Sequence, residues 1–112
     1  MKESSTAPAV ETGVVTMNDG DELEAVGSGV ERSIDIFSPY GYCYSLPTGE
    51  KMLMAENGAS QAGLGVIMKG GPKKGEIKIT NRYGAYIHLK ENGSVEINGV
   101  VVTRNGEVIY NG

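Results

Sequence analysis

The carboxylates that stand close together in this chain are Asp19, Asp21 and Glu22, with Glu31 and Asp35 further on. A hydrolase holds such a pair in a pocket as acid and base. Here the first group lies in a Gly-rich polar stretch and the second on the outer side of a strand, so both read as solvated carboxylates. The run from Asp19 to Glu24 partly looks like a calcium loop but lacks the EF-hand ligand spacing and flanking helices. Ser45 has no Gly-x-Ser-x-Gly context, and the single histidine, His88, belongs to another segment, which argues against a Ser–His nucleophile. Cys43, between Tyr42 and Tyr44, reads as a small buried hydrophobe on a short strand rather than a nucleophile. Being the only cysteine, it excludes an intramolecular disulfide and a Cys-cluster zinc site. Gly70–Gly75 (GGPKKG) combines glycine and lysine without phosphate-loop spacing and reads as a linker. Tyr40 and Tyr42 flank Gly41; they could stack a ligand, but packing onto their own turn is the simpler role. These residues give no catalytic constellation, no cofactor site and no metal site.

The elements that position these residues are all β. Seventeen glycines and four prolines in 112 residues, without a collagen period, read as turns between many short strands. The stretch Val10–Met17 alternates as a first strand, with Val10, Val14 and Val15 as core candidates. Residues 18–29 read as a long acidic loop. Residues 30–38 alternate again through Val30, Ile34 and Ile36, and Met52–Met54 and Gly63–Met68 are two further apolar runs. About five strands before residue 70 suit a small OB-like barrel. From Gly75 onward, short x-apolar-x-apolar units follow one another, with Asn-Gly pairs at 92–93, 98–99, 105–106 and 111–112. Ile77, Ile79, Ile87, Leu89, Val95, Ile97 and Val108 fall on one face. Lys78, Tyr86, His88, Lys90, Glu96 and Glu107 fall on the other, where His88 is expected to face solvent. Two arrangements fit this tail. One is a hairpin meander with a naked apolar face. The other is an intertwined β-helix in which several chains share one core. Strands this short do not stand alone.

Net charge is −4, with acids dominating the first half and lysines, interleaved with glutamates, the second. There is no continuous basic stripe and few aromatics, so nucleic acid is not an expected partner. No apolar leader opens the sequence and no run is long enough to span a membrane, so synthesis in a cytoplasm without a signal peptide is expected.

Residues 37–70 resemble the Mu-like phage baseplate assembly and central spike proteins, the baseplate protein V family of contractile tails. The resemblance rests on the turn Phe37, Pro39, Tyr40, Gly41, then Pro47, Gly49, Glu50, then Met52–Met54 and Gly63–Met68. Gly75-Glu76-Ile77-Lys78-Ile79 looks like the start of that family's spike segment, so the likeness covers roughly 30–112. Residues 1–9, small and polar, read as a flexible N-terminus; the likeness implies an OB-like collar (10–70) and a short intertwined triple-stranded β-helix (71–112) in a homotrimer. The implied trimer core is Ile77, Ile79, Ile87, Leu89, Val95, Ile97 and Val108. The implied function is structural and non-enzymatic. The spike docks to the hub at the end of the tail tube, in a phage or phage-tail-like injection particle, and transiently meets and pierces the target envelope. A tip-capping protein would fit its blunt end. Many relatives end in His-x-His around a tip metal; this chain ends EVIYNG, so no such metal is expected. The alternative is a monomeric OB-type module that binds a saccharide, oligonucleotide or protein through Tyr40, Tyr42 and Tyr44.

Overall fold

The computed structural model describes residues 9–110, and it is all-β: eleven strands in two sheets, divided into two units at Ile67/Met68. The expectations for residues 1–8 and for the turn at 111–112 lie outside the described residues.

The first unit is a six-stranded mixed sheet of β1 (Val10–Asn18), β2 (Leu23–Val26), β3 (Val30–Glu31), β4 (Asp35–Ile36), β5 (Lys51–Asn57) and β6 (Ser60–Val66), ordered β3-β2-β1-β5-β6-β4. All neighbours are antiparallel except β4 and β6. The ladder ends at β3 and β4 without closing, so the closed barrel expected for residues 10–70 is not formed. The cause lies at Ser33, whose φ of 56° breaks what reads as one strand into two stubs. Those stubs become the sheet's opposite edges. Only Arg32, Ser33 and Ile34 join them, a reach of about 14 Å at most, whereas six flat strands span about 24 Å. The sheet must therefore curl. Its curl is tied where the Ile34 N–H donates to the Leu23 carbonyl at 3.3 Å and the Phe37 N–H to Gly63 at 2.8 Å.

Inside the curl lie Val15, Leu23, Ala25, Ile34, Leu46, Met52 and Met54, with Ile36 against them. Of the three valines expected inside β1, only Val15 is buried; Val10 and Val14 take the opposite parity and are exposed. The acidic stretch 18–29 is not all loop, because Leu23 and Ala25 alternate inward as β2. Asp19 makes the β1–β2 turn: its Oδ1 accepts from the Asp21 and Glu22 N–H groups at 2.9 and 2.8 Å. Those donors, Glu22 first, hold its pKa below the usual value. The supposed calcium ligand is thus a turn former. Glu11 similarly caps the β2–β3 turn, accepting from Ser28 N–H at 2.6 Å and Ser28 Oγ at 3.0 Å. Cys43 is exposed in the long β4–β5 loop rather than buried on a strand. Tyr40 and Tyr42 are exposed and do not pack onto their turn.

Two unbranched methionines fill the curl, and glycine makes room for them. A Cβ on Gly63 would stand 2.5 Å from Met52 Sδ and 2.6 Å from Ile36 Cδ1. Gly63→Val should therefore cost about 1–3 kcal/mol by overpacking, read as a lower denaturation midpoint with an unchanged slope. Gly29→Val, where an added Cβ meets open space, should cost distinctly less.

Candidate functional site: a two-faced sheet

The second unit is a five-stranded antiparallel meander of β7 (Ile77–Thr80), β8 (Tyr86–Leu89), β9 (Val95–Ile97), β10 (Val100–Val102) and β11 (Val108–Tyr110), each paired to the next. Of the two arrangements the sequence leaves open, a single chain forms the meander. The hairpin between β9 and β10 is the two-residue Asn-Gly turn expected, with Asn98 and Gly99 at φ 48° and 91°, as a type I′ turn requires. Asn92-Gly93 and Asn105-Gly106 instead occupy the third and fourth positions of the five-residue connections 90–94 and 103–107. There the Gly93 N–H donates to Lys90 O at 2.9 Å and the Gly106 N–H to Thr103 O at 2.8 Å, the pattern of a type I turn followed by a glycine bulge.

Strand register places all seven sequence-assigned residues, Ile77, Ile79, Ile87, Leu89, Val95, Ile97 and Val108, on one face. Two rows cross the whole sheet: Ile77, Leu89, Val95, Val102, Val108, and Ile79, Ile87, Ile97, Val100, Tyr110. Val100, Val102 and Tyr110 are additions that sequence parity does not reveal, because the run Val100-Val101-Val102 has no alternation to read. No element of the second unit covers this face, and Ile77, Ile79 and Ile97 are 58%, 46% and 45% exposed.

The opposite face is the better covered. His88 is not solvent-facing: its side chain is 18% exposed and its Nε2 lies 2.9 Å from Oε1 of Glu76, itself only 5% exposed. Glu76 also accepts from the Glu91 N–H at 2.8 Å and the Lys73 N–H at 3.2 Å. One carboxylate thus fastens the Gly70–Gly75 stretch to the β8–β9 loop. Beside it, Lys90 Nζ meets Glu96 Oε1 at 2.6 Å, Tyr86 Oη donates to Glu96, and the Lys78 ammonium lies 4.9 Å from the Tyr86 ring centroid. The Lys90 ammonium and the Tyr86 hydroxyl hold the Glu96 carboxyl below its usual range, and Glu96 in turn pushes both partners up. These contacts lock the two carboxylates into cross-strand pairs.

The family-motif residues Phe37, Pro39, Tyr40, Gly41, Pro47, Gly49 and Glu50 all lie in the first unit's long loop between β4 and β5. The loop is anchored by buried Leu46, whose carbonyl accepts from Asn18 Nδ2 at 2.9 Å, and by the Gly49 N–H to Val15 O at 2.8 Å. Its aromatic side chains Phe37, Tyr40, Tyr42 and Tyr44 are exposed.

The Glu91 N–H above all, then His88, lowers the Glu76 pKa below its ordinary 4.5. A depressed carboxylate stabilises the fold above its unfolded value, and that contribution disappears as pH falls through the folded value. Second-unit stability should be flat from neutrality to about pH 5 and drop below about pH 4.5. In Glu76→Gln the plateau should be lower and the drop smaller. Thermal melts across pH, with amide exchange at Glu91 as the local probe, check this.

No protein-family model, curated protein or solved structure matches the chain.

Proposed function

We propose that the chain is a structural, non-enzymatic spike subunit that works as a homotrimer, with the second unit as its shared-core shaft. One observation carries this reading: the sheet's apolar face is more exposed than its polar face, with two unbroken cross-strand rows left uncovered within the unit. A sheet built this way lacks a partner for its core side. Three copies with these faces turned inward make a three-sided prism with the rows as its axis. Exchange of short strands between chains turns that prism into an intertwined triple-stranded β-helix. Five strands at about 4.8 Å spacing make a shaft about 20 Å long, stubby but stiff. The polar ladder of Glu76, His88, Lys90, Glu96 and Tyr86 then faces outward as a braced surface.

The motifs shared with baseplate spike proteins supply the setting: the end of the tail tube of a contractile phage or injection particle, with the envelope as target. In this reading the first unit's curled sheet acts as the OB-like collar against the hub. Its aromatic loop suits such docking, since residues 37–49 carry no charge and present Phe37, Tyr40, Tyr42 and Tyr44 to solvent. Interface centres are enriched in tyrosine and depleted of lysine and carboxylates. The exposed outer edge of β11 is where a tip-capping protein would add. The same loop favours the second reading, a monomeric binding module, and oligomeric state separates the two.

Light scattering on a sizing column should return three times the chain mass of 11.8 kDa. Ile87→Asp places unpaired carboxylates around one axis at several kcal/mol each and should leave monomer or unfolded chain. Asn98→Asp, in the β9–β10 turn, should still assemble. A folded wild-type monomer at micromolar concentration contradicts the shared core.

A further inference from the structure

The polar face of the second unit carries a groove of about 760 Å³ whose lining includes Lys69, Lys73, Lys78, Lys90, His88 and Met68. Its carboxylates are already engaged. Glu76 is buried and takes three donors, and Glu91 stands 3.7 Å from Lys73. Lys90 is matched by Glu96 outside the lining. Lys69 and Lys78 have no carboxylate partner among the described residues. The Lys78 ammonium rests on the Tyr86 ring, which orients it without neutralising it.

Charge division along the chain points the same way. Residues 68–112 hold seven Lys and Arg against four Glu, while residues 1–67 hold three against ten Asp and Glu. An anion is therefore drawn to the second unit and repelled by the first. An apolar tip accompanies the lysines: Met68, in the lining beside Lys69, is 79% exposed. Ammonium groups beside an exposed apolar side chain suit a membrane interface better than a free anion in water.

We propose that this groove takes the phosphate of an anionic phospholipid headgroup. Lys69 and Lys78 supply the unpaired charge, Lys73 and Lys90 flank it, and Met68 enters the acyl boundary. This deepens the spike reading, on which it rests only for the source of the lipid, because the groove is complete within one chain.

The test is co-sedimentation of the full chain with vesicles of phosphatidylglycerol diluted in phosphatidylcholine, against phosphatidylcholine alone. Inorganic phosphate is a third arm, and light scattering is run on the same preparation. Binding is expected only with phosphatidylglycerol and should weaken with added salt. Lys69→Gln with Lys78→Gln should lower it roughly thirtyfold, with circular dichroism and solution mass unchanged. Equal binding to both vesicles, no binding, an unchanged double variant, or inorganic phosphate competing at concentrations too low to screen charge each overturns the proposal. A trimer that ignores the vesicles overturns the groove and leaves the spike; a monomer that binds them keeps the groove and overturns the spike.

Discussion

A β-sheet with one apolar face is stable only when something covers that face, and the second unit depends on this constraint. Its strands are three or four residues long and meet only their sequence neighbours. Each strand brings two inward side chains, so the five together carry two rows and nothing more. That is too little to fold back on itself and too much to leave in water. The carboxylates Glu76 and Glu96 on the polar face are satisfied within the chain, Glu76 by His88 and two backbone N–H groups and Glu96 by Lys90 and Tyr86. The opposite face is apolar throughout, a stripe two residues wide with a strand repeat, and in the proposed spike copies of the same chain cover it.

The first unit meets the same constraint differently. It curls one sheet until the concave side encloses its own core. The curl is possible because β3 and β4 are stubs joined by three residues, and because Gly63 and Gly13 leave space that Met52 and Met54 occupy. Methionine conforms to an irregular interior more readily than a branched residue. The two units thus divide the work, one enclosing its apolar surface and the other presenting it.

Much of the second unit was legible because its turns and alternation agree. Asn98-Gly99 sets a two-residue turn, and the apolar residues from Ile77 to Ile97 keep strict parity ahead of it. The legibility stopped at Val100–Val102, where three valines carry no phase and only pairing with β9 and β11 selects Val100 and Val102. Alternation puts His88 on the polar face but does not reveal its pairing, since Glu76 lies twelve residues away and reaches it only across the β7–β8 register. In the first unit the all-β class was legible and the topology was not. Ser33 in a left-handed conformation breaks an alternating run without a glycine or proline to announce it. Leu23 and Ala25 were hidden as a strand by the acids around them. Cys43 sits among aromatics that suggest burial, yet its loop turns them outward, a matter of tertiary anchoring at Leu46 and Gly49 rather than of composition.

The central claim is that copies of the same chain cover the rows running through Ile87 and Ile97. Methyl-to-methyl contacts in a sample assembled from isotope-labelled and unlabelled chains test it most directly, because only intermolecular contacts survive the isotope filter. Cross-peaks joining Ile87, Ile97 and Val100 of one chain to the same rows of another are the predicted result. Their absence, with these methyls contacting residues of their own first unit or remaining open to a water-soluble paramagnetic probe, would contradict it.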